Sequence, residues 1–250
     1  MISYHGLTDI GRRRPLNEDA IHAGDGLFVV CDGMGGHKAG EVASQLATEV
    51  IGAFVRRSGA DAEITWPYGL DPTLSFNGNR LRTAIQLANR AVFRKAASSD
   101  DYTGMGTTVV AIVLSPNGSR MTFAHVGDSR IYLIREGAIL QLTHDDSWAN
   151  LDWRGGPDDT ETASMKNVLT KALGAREDVD FEVTEDDLED RDVILLCSDG
   201  LTNMVPDRRL LEIISAHGTD VEGACGELIA AANAAGGRDN ISAILVRYGS

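Results

Sequence analysis

The chain has 250 residues, 43% of them hydrophobic, and a formal net charge of −14. That excess of acid argues against nucleic acid or an anionic membrane as the main partner, because their phosphates would be repelled. Apolar runs fall well short of the ~20 residues of a membrane span, and three cysteines (Cys31, Cys197, Cys225) with no CxxC pair argue against a disulfide framework or a thiolate metal site.

The size suits one sizeable core. No Pro/Ser-rich linker or internal repeat divides the chain, so residues 1–250 are expected to form a single domain. Met1-Ile2-Ser3-Tyr4-His5-Gly6 lacks the basic and apolar regions of a signal peptide, which makes the cytoplasm the expected location.

From His5 to Cys31, short strand patterns alternate with turns. Glu41 to Arg57 places Val42, Leu46, Val50 and Phe54 four residues apart and predicts an amphipathic helix. A Gly/Pro-punctuated connection follows, and Asn79 to Ala97 reads as a second helix with Leu81, Ile85, Leu87, Ala88 and Val92 inward. Strands are predicted at Thr107–Leu114, Arg120–Val126 and Arg130–Ile134, with turns at Asn117-Gly118 and Glu136-Gly137. The polar stretch from His144 to Asn167 reads as an excursion, and the acidic run from Glu177 to Asp192 as a solvated connector. The strand Val193–Cys197, helices over Asp207–Ala216 and Val221–Ala235, and a last strand ending at Val246 complete the chain. Tightly turned strands with helices arriving in pairs predict α+β layers, and a four-layer α/β/β/α sandwich of two mainly antiparallel sheets fits them.

One local arrangement recurs: an aspartate at the rim of an apolar strand, beside glycine or asparagine. It appears at Asp32-Gly33, Gly127-Asp128, Asp199-Gly200 and Asp239-Asn240. Carboxylates gathered at the ends of buried strands repel one another unless positive charge sits between them. Hard divalent cations, which take carboxylate and backbone oxygens, meet that need and point to a metal-dependent hydrolase.

The ordered series is more specific than any member of it. Arg14-x-x-Asn17-Glu18-Asp19, Asp32-Gly33-Met34-Gly35-Gly36-His37, Gly104-Met105-Gly106-Thr107-Thr108, Gly127-Asp128-Ser129-Arg130, Asn167-x-Leu169-Thr170-Lys171-Ala172-Leu173-Gly174, Ser198-Asp199-Gly200 and Asp239-Asn240 follow in turn. Together they closely resemble the metal-dependent (PPM, type 2C) serine/threonine protein phosphatases of the compact bacterial type, from Asp9 to Val246.

The resemblance implies two Mn²⁺ or Mg²⁺ ions bridged by Asp32, with the Gly33 carbonyl on the first and Asp199 and Asp239 on the second. It implies that Glu18 and Asp19 hold metal-bound waters, and that Asp128, with Asp199, marks a weaker third-metal site that Asn167 completes. It further implies that Arg14 grips the phosphoryl oxygens, that a hydroxide bridging the metals attacks phosphorus in line, and that His37 protonates the leaving alkoxide. The implied partners are phosphorylated proteins and an opposing bacterial serine/threonine kinase.

Trp148, Trp153 and the acidic Asp158-Asp159-Thr160-Glu161 set the flap-like segment at about 145–167 apart from the family pattern. A regulatory phosphoprotein-binding module with weak catalysis and a small-phosphoester hydrolase are the rival readings.

Overall fold

The computed structural model describes residues 1–35, 39–61, 63–147 and 168–249. In chain order its elements are β1 (Ile2–Asp9), β2 (Asp19–Gly24), β3 (Leu27–Met34), α1 (Ala39–Ala60), α2 (Phe76–Ala96), β4 (Gly106–Thr107), β5 (Val109–Leu114), β6 (Arg120–Val126), β7 (Arg130–Arg135), β8 (Ala138–Gln141), β9 (Val183–Asp187), β10 (Val193–Cys197), α3 (Asp199–Thr202), α4 (Asp207–His217), α5 (Val221–Ala234) and β11 (Ile241–Tyr248). One sheet runs β1-β11-β10-β7-β8; the other runs β2-β3-β5-β6-β9, with β4 paired to β3. Every pairing between these strands is antiparallel.

The inner strands β5 and β10 are apolar throughout because both of their faces are covered. On β3, Leu27, Val29 and Cys31 pack with α1 and α2, while Phe28 and Val30 face the other sheet. On β11, Ile241, Ala243 and Leu245 join the layer with α4 and α5, while Ile244 and Val246 face inward between the sheets. Period-two alternation thus sorts residues between two cores instead of between core and water. Three such cores separate four layers, helix on sheet on sheet on helix, as the sequence predicts.

The helices fall where periodicity places them, with displaced ends. α2 starts at Phe76 because Ser75 caps it, its side chain accepting from the Gly78 N–H at 3.1 Å. β8, which the sequence reading does not place, forms a hairpin with β7 across Glu136 (φ 51°) and Gly137 (φ 77°), the left-handed pair that a tight two-residue turn requires.

The acidic run is more than a connector. Val183–Asp187 forms β9, an edge strand paired to β6. Val179, Phe181 and Val183 pack at alternate positions against the helical core, while charged side chains occupy the outer positions. The acids hide the alternation from a composition reading, and charge on an edge strand discourages pairing with a second chain.

Candidate active site

The antiparallel registers bring several strand ends to one rim of the sandwich. Asp19 stands opposite Asp32 in the β2–β3 pair. In the other sheet, Cys197 at the end of β10 lies opposite Arg130 and Ala243, so Asp128, Asp199 and Asp239 gather at the same edge. A cleft of about 600 Å³ opens there, lined by Arg14, Glu18, Asp32, Gly33, Asp128, Asp199 and Asp239, with Thr108, Lys171 and Asn240 among its other walls.

Each carboxylate is held by its backbone or its neighbours. The Asp32 N–H donates to Thr108 Oγ1 at 3.0 Å, and its carbonyl accepts from Thr107 Oγ1 and the Thr108 N–H, both at 2.8 Å. Thr108 Oγ1 lies 2.7 Å from Ser129 Oγ, which ties the floor to the residue after Asp128. Asn240 fastens the N-terminal loop: its Oδ1 accepts from the Glu18 N–H at 2.8 Å, and its Nδ2 donates to the carbonyls of Ile10 and Leu16. Asp199 Oδ2 accepts from Asn203 Nδ2 at 2.9 Å.

Glycine is needed at Gly33 because a Cβ there would strike the backbone carbonyl oxygens of Gly40 and Glu18. Gly127, at φ +105°, makes the turn that presents Asp128.

The electrostatics are those of crowded acids. Burial, followed by the charges of Asp19, Asp199, Asp239 and Asp128, pushes Asp32 well above the usual carboxylate range. Burial and then Asp239 raise Asp199. Burial pushes Asp128 up to about 7, helped by Asp199 and Asp145. Burial pushes Asp19 up to about 7 against hydrogen bonds from Ser242 and Ser198. Burial also raises Glu18. Arg14 Nη2 meets Asp239 Oδ2 at 2.6 Å, and that hydrogen bond raises the guanidinium further.

This donor set fits hard divalent cations. It offers carboxylate oxygens and the Gly33 backbone beside a cleft, and neither nitrogen nor sulfur among the predicted ligands. Asp19 Oδ1 and Asp199 Oδ1 are buried without a hydrogen-bond partner, which is costly for a carboxylate unless a cation or its water completes it. Among the described residues, no three His, Cys, Asp or Glu side chains close a metal cage by themselves. Hard-ion sites complete their shells with backbone carbonyls and water, and Asp239 is engaged by Arg14.

Of the predicted site residues, Arg14, Glu18, Asp32, Gly33, Asp128, Asp199 and Asp239 share the cleft, and Asp19 lies directly behind it. His37, Asn167, Trp148 and Trp153 lie outside the described residues, as does most of the flap-like segment. His125 accounts for itself structurally, its Nε2 lying 2.8 Å from the His144 carbonyl oxygen. Sequence reasoning misses Ser242, Asn203 and the cleft-lining cation Lys171, whose Nζ lies 3.3 Å from Asp146 Oδ1. A hydroxyl inside the otherwise apolar Ile241–Val246 run is the signal that marks Ser242.

A four-layer sandwich with carboxylates from both sheets converging on one rim, and an arginine beside them, is an arrangement suited to divalent cations and a phosphoryl group. The comparisons make the class specific. The family model for protein phosphatase 2C matches residues 11–244. The serine/threonine phosphatase stp of Listeria monocytogenes is 38% identical over 251 residues, covering 96% of this chain and 93% of its own. The crystal structure of the serine/threonine phosphatase PstP/Ppp of Mycobacterium tuberculosis superposes with a TM-score of 0.83 at 31% identity, covering 100% of this chain and 99% of that one. The catalytic domain of PstP in complex with two manganese ions superposes with a TM-score of 0.79 at 31% identity and the same coverage. The chain belongs to the protein phosphatase 2C family, and it is a hydrolase of that class.

Proposed function

We propose that the protein removes phosphate from phosphoserine and phosphothreonine side chains of other proteins, using two divalent cations held at the carboxylate rim. The observation that carries this reading is the convergence of Asp32, Asp128, Asp199, Asp239 and Arg14 on one cleft from segments far apart in sequence.

Asp32, Asp199, Asp239 and the Gly33 carbonyl are the groups that would hold the two ions. Asp128, which lines the same cleft as Asp199, would help to hold a third, weaker ion. Bound there, Mn²⁺ or Mg²⁺ would supply Lewis acidity, neutralising phosphoryl charge and acidifying a water to serve as nucleophile near neutral pH. Glu18 and Asp19 orient water at the rim. Arg14 has a planar fork that suits phosphoryl oxygens; it donates to Asp239 Oδ2 at 2.6 Å, and phosphate engagement would draw it away from that carboxylate. His37, whose imidazole can carry a proton near neutral pH, is assigned to donate the proton that the leaving alkoxide needs.

A phosphoprotein phosphatase requires an enzyme that makes its substrate, so the opposing activity is a serine/threonine protein kinase. Bacterial phosphatases among the relatives support that setting.

Purified protein assayed on p-nitrophenyl phosphate and on a phosphothreonine peptide tests the reading. Turnover of both is expected with Mn²⁺ and is expected to vanish with chelator. Asp239→Ala is expected to lose about 100-fold or more, since ligand loss removes charge stabilisation worth several kcal/mol. Metal-independent activity, or an undiminished Asp239→Ala variant, would sink it.

A further inference from the structure

Asp19 Oδ2 accepts two hydroxyl hydrogen bonds, from Ser242 Oγ at 2.6 Å and Ser198 Oγ at 2.8 Å. All three residues are buried, with Ser198 and Ser242 at 0% exposure and Asp19 at 7%. The proton directions follow from the neighbours. The Ser242 N–H donates to Ser198 Oγ at 3.0 Å, which leaves the Ser198 hydroxyl proton for Asp19. Ser242 Oγ also lies 2.8 Å from Thr8 Oγ1. Thr8 Oγ1 is the acceptor in that second contact, and it also accepts from Asn17 Nδ2 at 2.8 Å. The Asn17 Oδ1 returns to accept the Asp19 N–H at 3.1 Å.

The network thus links Asn17 and Thr8 at the protein surface, through Ser242, to a buried carboxylate that accepts from both serines. It crosses between the sheets, since Asp19 opens β2 while Ser198 and Ser242 belong to the β10–β11 rim. With Oδ2 saturated, Oδ1 is left buried and without a partner.

We propose that Ser242, Ser198 and Thr8 are positioning residues that orient Asp19 so that Oδ1 alone faces the metal site, where it receives water bound to a divalent cation. The inference rests on the two-cation reading above and adds residues that the ligand set does not contain. The hydroxyls prepay the ordering of Asp19, so their loss appears in cation affinity before it appears in phosphate binding. Partners of this kind typically contribute about 10- to 100-fold to metal affinity.

The test is Mn²⁺ titration by calorimetry on wild type, Ser242→Ala, Ser198→Ala and Ser242→Thr, paired with Mn²⁺ activation curves on p-nitrophenyl phosphate. Ser242→Ala and Ser198→Ala are expected to weaken Mn²⁺ by about tenfold or more, with KM for substrate unchanged at saturating Mn²⁺. Ser242→Thr, which keeps the hydroxyl, is expected to restore affinity. Wild-type Mn²⁺ affinity in both alanine variants, whatever their melting temperatures, would overturn the positioning role while leaving the two-cation reading intact. Equal weakening by Ser242→Thr and Ser242→Ala would also overturn it, because the hydroxyl would then be irrelevant. Absence of Mn²⁺ binding by the wild type would remove the two-cation reading and this inference together. Should Ser242→Ala not fold, Thr8→Val at the exposed end of the network provides the same comparison, with a smaller loss expected and wild-type affinity the overturning result.

Discussion

At the scale of single residues, the rim sets crowded carboxylates against the Arg14 guanidinium. Arg14 stands on Asp239 at 2.6 Å, with both side chains partly exposed, so the pair contributes little to stability in solvent. Its interest is competitive, because the guanidinium occupies a carboxylate that the proposed chemistry assigns to a metal. Removing it should separate two effects. Arg14→Ala is expected to lower kcat/KM roughly 10- to 100-fold through the lost charge-assisted bonds to phosphate, while Mn²⁺ affinity stays equal or rises as Asp239 is released. Arg14→Lys is expected to recover only part of the loss, since an ammonium lacks the fork. Steady-state kinetics beside Mn²⁺ calorimetry reads both, and a fall in Mn²⁺ affinity would contradict the competition.

At the scale of elements, the site depends on close backbone approaches between segments that share no local sequence. The start of α1 lies on the end of β3, where the Gly33 position faces the Gly40 carbonyl, while the Gly33 N–H donates to the Glu18 carbonyl at 3.1 Å. A methyl group at this point has nowhere to go, because backbone obstructs it and no flexible side-chain end can yield. Gly33→Ala is expected to cost about 1–3 kcal/mol, measured by denaturant unfolding, and to reduce activity by moving α1 away from the rim. Unchanged stability would mean that α1 yields more readily than its packing implies. The same dependence on neighbours explains β9. The alternation of Val179, Phe181 and Val183 that leads into it is present in the sequence, but the surrounding acids make the segment read as solvated chain until β6 supplies an edge for Val183–Asp187 to pair with.

At the scale of the whole molecule, folding concentrates acid at one end of the sandwich, and this sets a pH dependence. Burial holds Asp19 and Asp128 at about 7, above the 3.8 of a freely solvated aspartate. Between those limits the folded state binds more protons than the unfolded chain, so these groups lower stability as pH rises through that window. A bound cation takes the place of the protons. The melting temperature gained on adding Mn²⁺ is therefore expected to widen as pH rises from about 5 to about 8. Calorimetric melting with and without Mn²⁺ at each pH measures it, and a constant gap would contradict the raised carboxylates.

The sequence by itself determined the layers and the ligand candidates. The helical repeats from Val42 to Phe54 and around Leu81 to Val92, the apolar strands and the Asp-Gly and Asp-Asn rims are local patterns, and local patterns survive reading one residue at a time. Tertiary structure alone decided which oxygens face the cleft and what holds them there. The Asp19 carboxylate is oriented by Ser198 and Ser242, and its loop is tied down by Asn240, residues that lie about 180 to 230 positions away. Such partners depend on strand register between two sheets, and register is set by packing across the whole fold. The physical reason is one of range: a chain records its hydrophobic period locally, whereas a hydrogen bond from a buried hydroxyl to a distant carboxylate exists only once those strands are side by side.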